Sequence, residues 1–446
     1  MNFKFNNMGP VKQGSIELGN ITILCGKNNT GKTYVSYTIY GFFRNLQYIL
    51  DDIISDMLKS SKTDEGIVLD LNKLYDDLDK IRKKVNKSFN AKLGTIYNTD
   101  SNNMLSDTKI EIEDSKITRE LFLRHYNNKI NAFKQLFLNK CLVDNSDKNY
   151  LIFKSLDKDS FLAIRYIEIA ITVLTANLLY KIDQTNVFML PAERCGLNLF
   201  YKELNVNRNN AIYNINLSDK DYSIKNNFSK YPLPISDYIN FLNDLQPYKK
   251  NDNGFNELST TLENSIIEGN FVVTEDSSIE FVNKDNKEID FHLSSSTAKS
   301  LFGLDYYLNN NVRKGNLLII DEPEQNLHPD NQRKLARLLA NLSNKNVKVL
   351  ISTHSDYIIK EFNNLIQLGT KFKGYQDIMQ QHGYSEAELL SSKNVKSYIL
   401  ANNIIDKIEI NENGMEIETF DEVINSMNYV SDEIFYSFYE EEDSEQ

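Results

Sequence analysis

The run Ile21-Thr22-Ile23-Leu24-Cys25 is apolar throughout and ends in Gly26-Lys27-Asn28-Asn29-Thr30-Gly31-Lys32-Thr33, after which Tyr34 to Leu50 carries apolar residues at helical spacing. This order restricts the chain to a buried strand, a tight loop and a helix. Glycine has no Cβ, so the loop can turn its backbone N–H groups inward, and the following helix adds its positive end. The product is a phosphate cradle. Within it, Lys32 is placed to reach the β- and γ-phosphates and the Thr33 hydroxyl to ligate Mg²⁺. The whole octet, Gly26, Lys27, Asn28, Asn29, Thr30, Gly31, Lys32 and Thr33, is the expected nucleotide-binding loop, with ATP and Mg²⁺ as the cofactors.

Two further strand ends carry chemistry. Leu317-Leu318-Ile319-Ile320 is a second apolar run, and it delivers Asp321-Glu322-Pro323-Glu324 to a carboxyl end. There Asp321 is expected to hold Mg²⁺, and Glu322 to orient or deprotonate the attacking water. One helix later, Val349-Leu350-Ile351-Ser352-Thr353 ends at His354, placed to sense a γ-phosphate. Lys32, Glu322 and His354 are thus the expected catalytic residues, and Thr33 and Asp321 the metal ligands. Asp321 lies far along the chain from Lys32, so the core must be interrupted by inserted segments.

Apolar strands alternating with helices imply an α/β fold with a largely parallel sheet covered on both faces. The expected P-loop head is discontinuous, built from residues 1–50 and 186–370. Residues 51–185 read as a helical insertion. Leu71, Leu74, Leu78, Ile81 and Val85 make one amphipathic face; Leu121, Phe122, Tyr126, Ile130, Phe133 and Phe137 make another. Phe161 to Ile182 reads as a buried core helix, whereas Asn86 to Ser115 reads as polar and loop-rich. Phe271–Val273, Ile279–Val282 and Ile289–Leu293 form a small antiparallel patch. Residues 371–439 read as a C-terminal α+β region with a helix near Ser385 to Leu390, a terminal hairpin from Tyr398 to Leu400, Ile404 to Ile410 and Met415 to Ile417, and a last helix from Asp421 to Tyr439, and 440–446 as an acidic tail.

The chain has 446 residues, is 41% hydrophobic and carries a net charge of −12. That charge argues against DNA binding by overall electrostatics, while a local basic groove leaves DNA open as a partner. Cys25, Cys141 and Cys195 lie far apart and read as reduced, buried thiols, and no signal peptide or spanning helix is expected, so the expectation is a cytoplasmic protein without a membrane partner.

Asp321-Glu322-Pro323-Glu324, Asn326-Leu327-His328-Pro329 and Ser352-Thr353-His354-Ser355 resemble the Walker B, D-loop and switch-histidine region of ABC-type ATPases. Among these they look most like the RecF, SMC and OLD-type branch, which the opening Phe5 to Thr22 also resembles. The resemblance covers residues 1–45 and Asn186–Asn363 at the level of motifs. It implies a homodimer, or a larger homo-oligomer, whose heads sandwich two ATP molecules, with Asn326 and His328 near the partner's site. It also implies a signature loop gripping the partner's γ-phosphate. Leu293-Ser294-Ser295-Ser296-Thr297 stands at that place, with serines replacing both glycines of the common Leu-Ser-Gly-Gly. Ser294, Ser295 and Ser296 join the expected nucleotide ligands on that basis. Leu190-Pro191-Ala192-Glu193-Arg194 looks like a motif of the family's phage-defence members. Its Arg194 can be read as a phosphate or partner contact, or as a structural ion pair inside a turn. The acids of an OLD-type nuclease domain are not found after His354. What the resemblance then implies is the ATPase sensor of a bacterial anti-phage system, controlling a separately encoded effector such as a nuclease. The competing readings are a RecF-like DNA-repair ATPase, an ATP-bound non-catalytic scaffold and a transporter subunit.

Overall fold

The computed structural model describes residues 1–59, 61–63, 66–99, 105–113, 117–137, 141–155, 161–180, 187–204, 231–248, 254–275, 277–415 and 426–437. One sheet of nine strands organises them: β1 (Asn2–Met8), β2 (Val11–Glu17), β3 (Ile21–Cys25), β4 (Lys109–Glu113), β5 (Val187–Leu190), β6 (Leu317–Asp321), β7 (Lys348–Thr353), β8 (Val395–Ala401) and β9 (Ile404–Ile408). Their order across the sheet is β4-β1-β2-β9-β8-β3-β7-β6-β5. From β8 to β5 every pairing is parallel. All five residues of β3 and of β6 are buried, as their unbroken apolar runs demand of strands covered on both faces. Each fully buried Ile or Leu there is worth about 1.5–3 kcal/mol.

Parallel pairing places the carboxyl ends of β5, β6, β7, β3 and β8 along one rim. Helix α1 (Lys32–Lys59) leaves that rim after β3 and runs 28 residues, about 42 Å at 1.5 Å per residue. Val35, Ile39, Phe42, Phe43, Leu46 and Leu50 are among its buried residues. The helix Phe161–Tyr180, expected as a core helix, packs along it, with Phe42 and Tyr180 ring centroids 5.2 Å apart and Arg165 paired with Asp51. Among the described residues no helix is long and apolar enough to cross a membrane.

The structure departs from the sequence reading in several places. The insertion is not only helical. It contributes β4 to the main sheet and a separate four-stranded sheet from Lys62–Thr63, Gly66–Asp70, Cys141–Asp144 and Tyr150–Ser155. Its polar stretch after Asn86 opens with helix, the end of Leu78–Ala91 and then Leu93–Tyr97, because the asparagines have a task. Asn90 exchanges two hydrogen bonds with the Ile110 backbone, 2.7 and 2.8 Å, and Asn86 does the same with Ile112, 3.3 and 3.1 Å. Two amide side chains one helical turn apart thus imitate a neighbouring strand and close the β4 edge, which would otherwise present unpaired backbone.

The second departure is the C-terminal hairpin, β8 and β9, which is no separate region. It is inserted in the head sheet between β2 and β3. The third is smaller: Ser385–Leu390 is not a helix but holds one 3₁₀ turn at Glu386–Glu388, after a helix at Tyr375–His382. The antiparallel patch is present as Gly269–Val273, Ile279–Asn283 and Glu288–Asp290, with Phe291–Leu293 forming a 3₁₀ turn instead of extending the last strand. Residues 426–437 are helical, while the acidic tail 440–446 lies outside the described residues. Cys25 is buried and Cys195 only partly so.

Candidate functional site

The glycine loop leaves β3 with Gly26 at φ +140° and closes into α1 through Asn29 at +63° and Gly31 at +100°. Gly26 needs its lack of side chain twice over. A Cβ there would stand 2.4 Å from the Leu400 carbonyl oxygen of β8, so the inserted hairpin packs directly against the loop. Gly26→Ala is expected to lower unfolding free energy by more than the about 1–3 kcal/mol of backbone strain alone. Urea unfolding checks this, and a loss no larger than that strain would show that the hairpin yields. Lys32 is buried at the loop's centre, and its Nζ donates to the Gly26 and Lys27 carbonyls, 3.0 Å each. Burial holds its pKa below the ordinary value, opposed by the charges of Asp321, Glu322 and Glu324. The side chains of Lys27, Asn28 and Asn29 are exposed at the rim, and Thr30 closes the turn through its hydroxyl to the Lys27 carbonyl at 2.9 Å.

Sheet register brings the second strand end in. Asp321 is the register partner of Ser352, and Thr353 that of Cys25. The Ser352 hydroxyl therefore donates to Asp321 Oδ1. The other oxygen, Oδ2, is buried and makes no geometrically acceptable hydrogen bond. The Thr33 hydroxyl is nonetheless near enough to favour the charged carboxylate. Burial dominates and pushes the Asp321 pKa up to about 6. A buried carboxylate oxygen without a donor, beside a threonine hydroxyl, fits a hard cation. Mg²⁺ commonly takes one or two protein carboxylates and fills its remaining positions with phosphate and water.

Glu322 sits at φ +50°, in the left-handed region, where the extended backbone of β6 ends. Its Oε2 accepts from Gln325 Nε2 at 2.5 Å, and its Oε1 lies 3.6 Å from His354 Nε2. The interaction with His354 is the main reason its carboxyl pKa is held below the usual range. His354 and Glu322 are thus adjacent, as their motifs imply. Three supporting side chains were not singled out in the sequence. They are Ser352 on Asp321, Gln325 on Glu322, and Glu324, which accepts from the Thr353 hydroxyl at 2.9 Å and the His354 amide at 2.5 Å. Glu324 clamps the end of β7 to the end of β6, and its presence within Asp-Glu-Pro-Glu was the available signal.

The serine loop opens α2 (Ser296–Tyr306). Ser295 is its N-cap and accepts from the Ala298 amide at 3.1 Å. Ser295 and Ser296 are exposed, whereas Ser294 is buried with its hydroxyl donated to the Phe291 carbonyl at 2.7 Å. Of the three serines, only Ser295 and Ser296 stand at the surface. Asn326 and His328 are also exposed, and His328 caps the helix α3 (Pro329–Asn344). Arg194 follows neither sequence alternative. It is fully buried and donates to backbone carbonyls instead of pairing with an acid or facing outward.

Residues 1–359 match the family profile of the AAA ATPase domain. The chain belongs to the AAA ATPase domain family. The match of this AAA ATPase spans the glycine loop, the Asp321–Glu322 strand end and His354. Solved structures similar to it include the SMC head domain from Thermotoga maritima, at 9% identity and TM-score 0.33 over 92% of this chain and 98% of that one. A second is an SMC head bound to the C-terminal winged-helix domain of ScpA, at 10% identity and TM-score 0.35 over 91% and 96%. A third is an SMC head with an extended coiled coil bound to the C-terminal domain of ScpA, derived from Pyrococcus furiosus, at 11% identity and TM-score 0.33 over 96% and 98%. No curated protein matches the chain.

Proposed function

We propose that this AAA ATPase binds ATP with Mg²⁺ at the rim where β3, β6 and β7 end, and hydrolyses it when two heads close over the nucleotide. The observation that carries this is the buried Asp321 Oδ2, which has no geometrically acceptable hydrogen bond, facing the start of α1 with Thr33 beside it and Lys32 one residue before. Bound Mg²⁺ would neutralise phosphate charge between Thr33 and Asp321. Lys32 and the loop amides bind and orient the β- and γ-phosphates. Glu322 orients a water molecule and takes its proton at Oε1, the oxygen that Gln325 leaves available. The water oxygen bonds to the γ-phosphorus as the bridging P–O bond to ADP breaks, releasing ADP and phosphate. His354, beside Oε1, carries a hydrogen-bonding ring to the same place.

A head-to-head homodimer is the assembly we assign, since Ser295, Ser296, Asn326 and His328 are exposed on the same head that carries the loop. The biological setting we assign is the regulation of a separately encoded effector in a bacterial anti-phage system. It is supported by the resemblance of the Leu190–Arg194 motif and tested by the genes beside this one.

Lys32→Ala is expected to weaken Mg·ATP binding about 10- to 100-fold, the equivalent of the roughly 1.5–3 kcal/mol of a charge-assisted hydrogen bond. Isothermal calorimetry on both proteins measures it. Equal affinities would remove the site.

A further inference from the structure

Arg194 holds together two segments that are both distant from it in sequence and carry opposite halves of the proposed chemistry. Its Nε donates to the Ser300 carbonyl of α2 at 3.1 Å. Its Nη1 donates to Asp321 O at 2.7 Å and to Pro191 O at 3.1 Å, and its Nη2 to Glu322 O at 2.8 Å. The planar guanidinium can do this because its donors diverge in a fixed fork, which a lysine ammonium cannot reproduce. The side chain is among the largest fully buried ones of the chain.

Two more contacts run between the same segments. Thr297 donates to the Asn326 carbonyl at 2.8 Å and Ser300 to the Gln325 carbonyl at 3.2 Å. The first turns of α2 are therefore stapled to residues 321–326 by three side chains, and Arg194 alone reaches the two that precede Pro323. One of these is Glu322, whose left-handed backbone is costly for a residue with a Cβ and persists only where its surroundings impose it.

We infer that Arg194 is a positioning residue that sets the Glu322 carboxylate through its backbone and makes that setting depend on where the serine-loop helix stands. This rests on the ATPase reading above. A shift of α2, such as contact of Ser295 and Ser296 with a partner's nucleotide would produce, is transmitted through the Ser300 carbonyl and the guanidinium to Glu322 O. The linkage joins the surface that meets the other head to the residue that handles the water, within one subunit.

The test compares wild type, Arg194→Lys, Glu322→Gln and the double variant for ATP affinity, kcat, KM and melting temperature. Arg194→Lys is expected to lower kcat at least about tenfold, because small displacements of a reacting group cost that much or more. KM and the calorimetric ATP affinity should stay within about twofold, since Lys32 and the loop are untouched and the Asp321 carboxylate keeps its own anchor in the Ser352 hydroxyl. In the Glu322→Gln background the same change should cost less than about twofold, because Arg194 acts through Glu322. A merely structural role would instead lower affinity and kcat together and add fully to Glu322→Gln; that result overturns the proposal. Arg194→Gln, uncharged but still a donor, replaces the lysine variant if the latter does not fold, with the same two expected outcomes. If ATP binds through Lys32 while kcat ignores both Arg194 variants, the inference fails and the nucleotide site stands. If wild type binds no ATP, both fail.

Discussion

Glu322→Gln should leave Mg·ATP bound and reduce turnover about 10³-fold, within the range a positioned general base contributes. That loss corresponds to about 4 kcal/mol of transition-state stabilisation, at 1.36 kcal/mol per tenfold. The substitution preserves shape, and the amide oxygen can still accept from Gln325 Nε2, now 2.5 Å from Oε2. What it removes is the proton acceptor at Oε1, which His354 flanks at 3.6 Å. Single-turnover phosphate release, compared with nucleotide affinity, separates the two effects. A scaffold that holds ATP without hydrolysing it predicts something else: negligible wild-type turnover, and no change on substitution. Turnover in wild type that survives Glu322→Gln would leave a different residue as the base.

The second large effect concerns stability, and it arises on the same helix that carries the serine loop. Asp305 of α2 is fully buried, accepts from the Tyr248 hydroxyl at 2.7 Å, and also has Asn309 Nδ2 at 3.3 Å. Burial, with the nearby Glu263 adding to it, pushes its pKa up to about 8 from an ordinary 3.8. The folded state therefore keeps a proton that the unfolded chain releases. Its contribution is fully present below pH about 4 and is lost as pH rises through about 8. With one proton worth 1.36 kcal/mol per pH unit, the difference is at most about 5 kcal/mol across that window. Asp305→Asn keeps an acceptor for Tyr248, supplies a donor toward Glu263 and cannot ionise. It is expected to raise stability at pH 8, to change it little near pH 4, and to flatten the slope between. Denaturant unfolding at pH 5 and pH 8 decides the matter, because identical slopes in the two proteins would mean that Asp305 is ionised throughout.

Much of the site was legible because its chemistry is local. The glycine loop, Asp321-Glu322 and His354 each follow a short apolar run, and such a run is a strand whose end can be read from the residues alone. The helix Phe161–Tyr180 was legible for a similar reason, as its periodicity is written in consecutive turns, while the face of Leu71 to Val85 is buried as expected but divided at Asp77 between two helices, Leu71–Asp76 and Leu78–Ala91. Arg194 was not legible. Its partners are four backbone carbonyls from three separate segments, and a carbonyl has no sequence signature. Asn86 and Asn90 misled for a related reason, since their polarity suggests a loop until the edge of β4 is placed beside them.

From sequence alone came the glycine loop as a candidate phosphate site, the acids and histidine at neighbouring strand ends, and the α/β character of the chain, since those depend on residue type and on neighbours a few positions away. Tertiary structure alone decided that the C-terminal hairpin enters the sheet between β2 and β3, where its Leu400 carbonyl backs Gly26. It alone decided also that register sets Ser352 on Asp321, and that one buried guanidinium joins the serine-loop helix to Glu322. These are contacts of backbone with backbone, of side chains on neighbouring strands, or of a side chain with a distant carbonyl. Their energy depends on which strands meet and in what alignment, and residue identity at any one position does not record that.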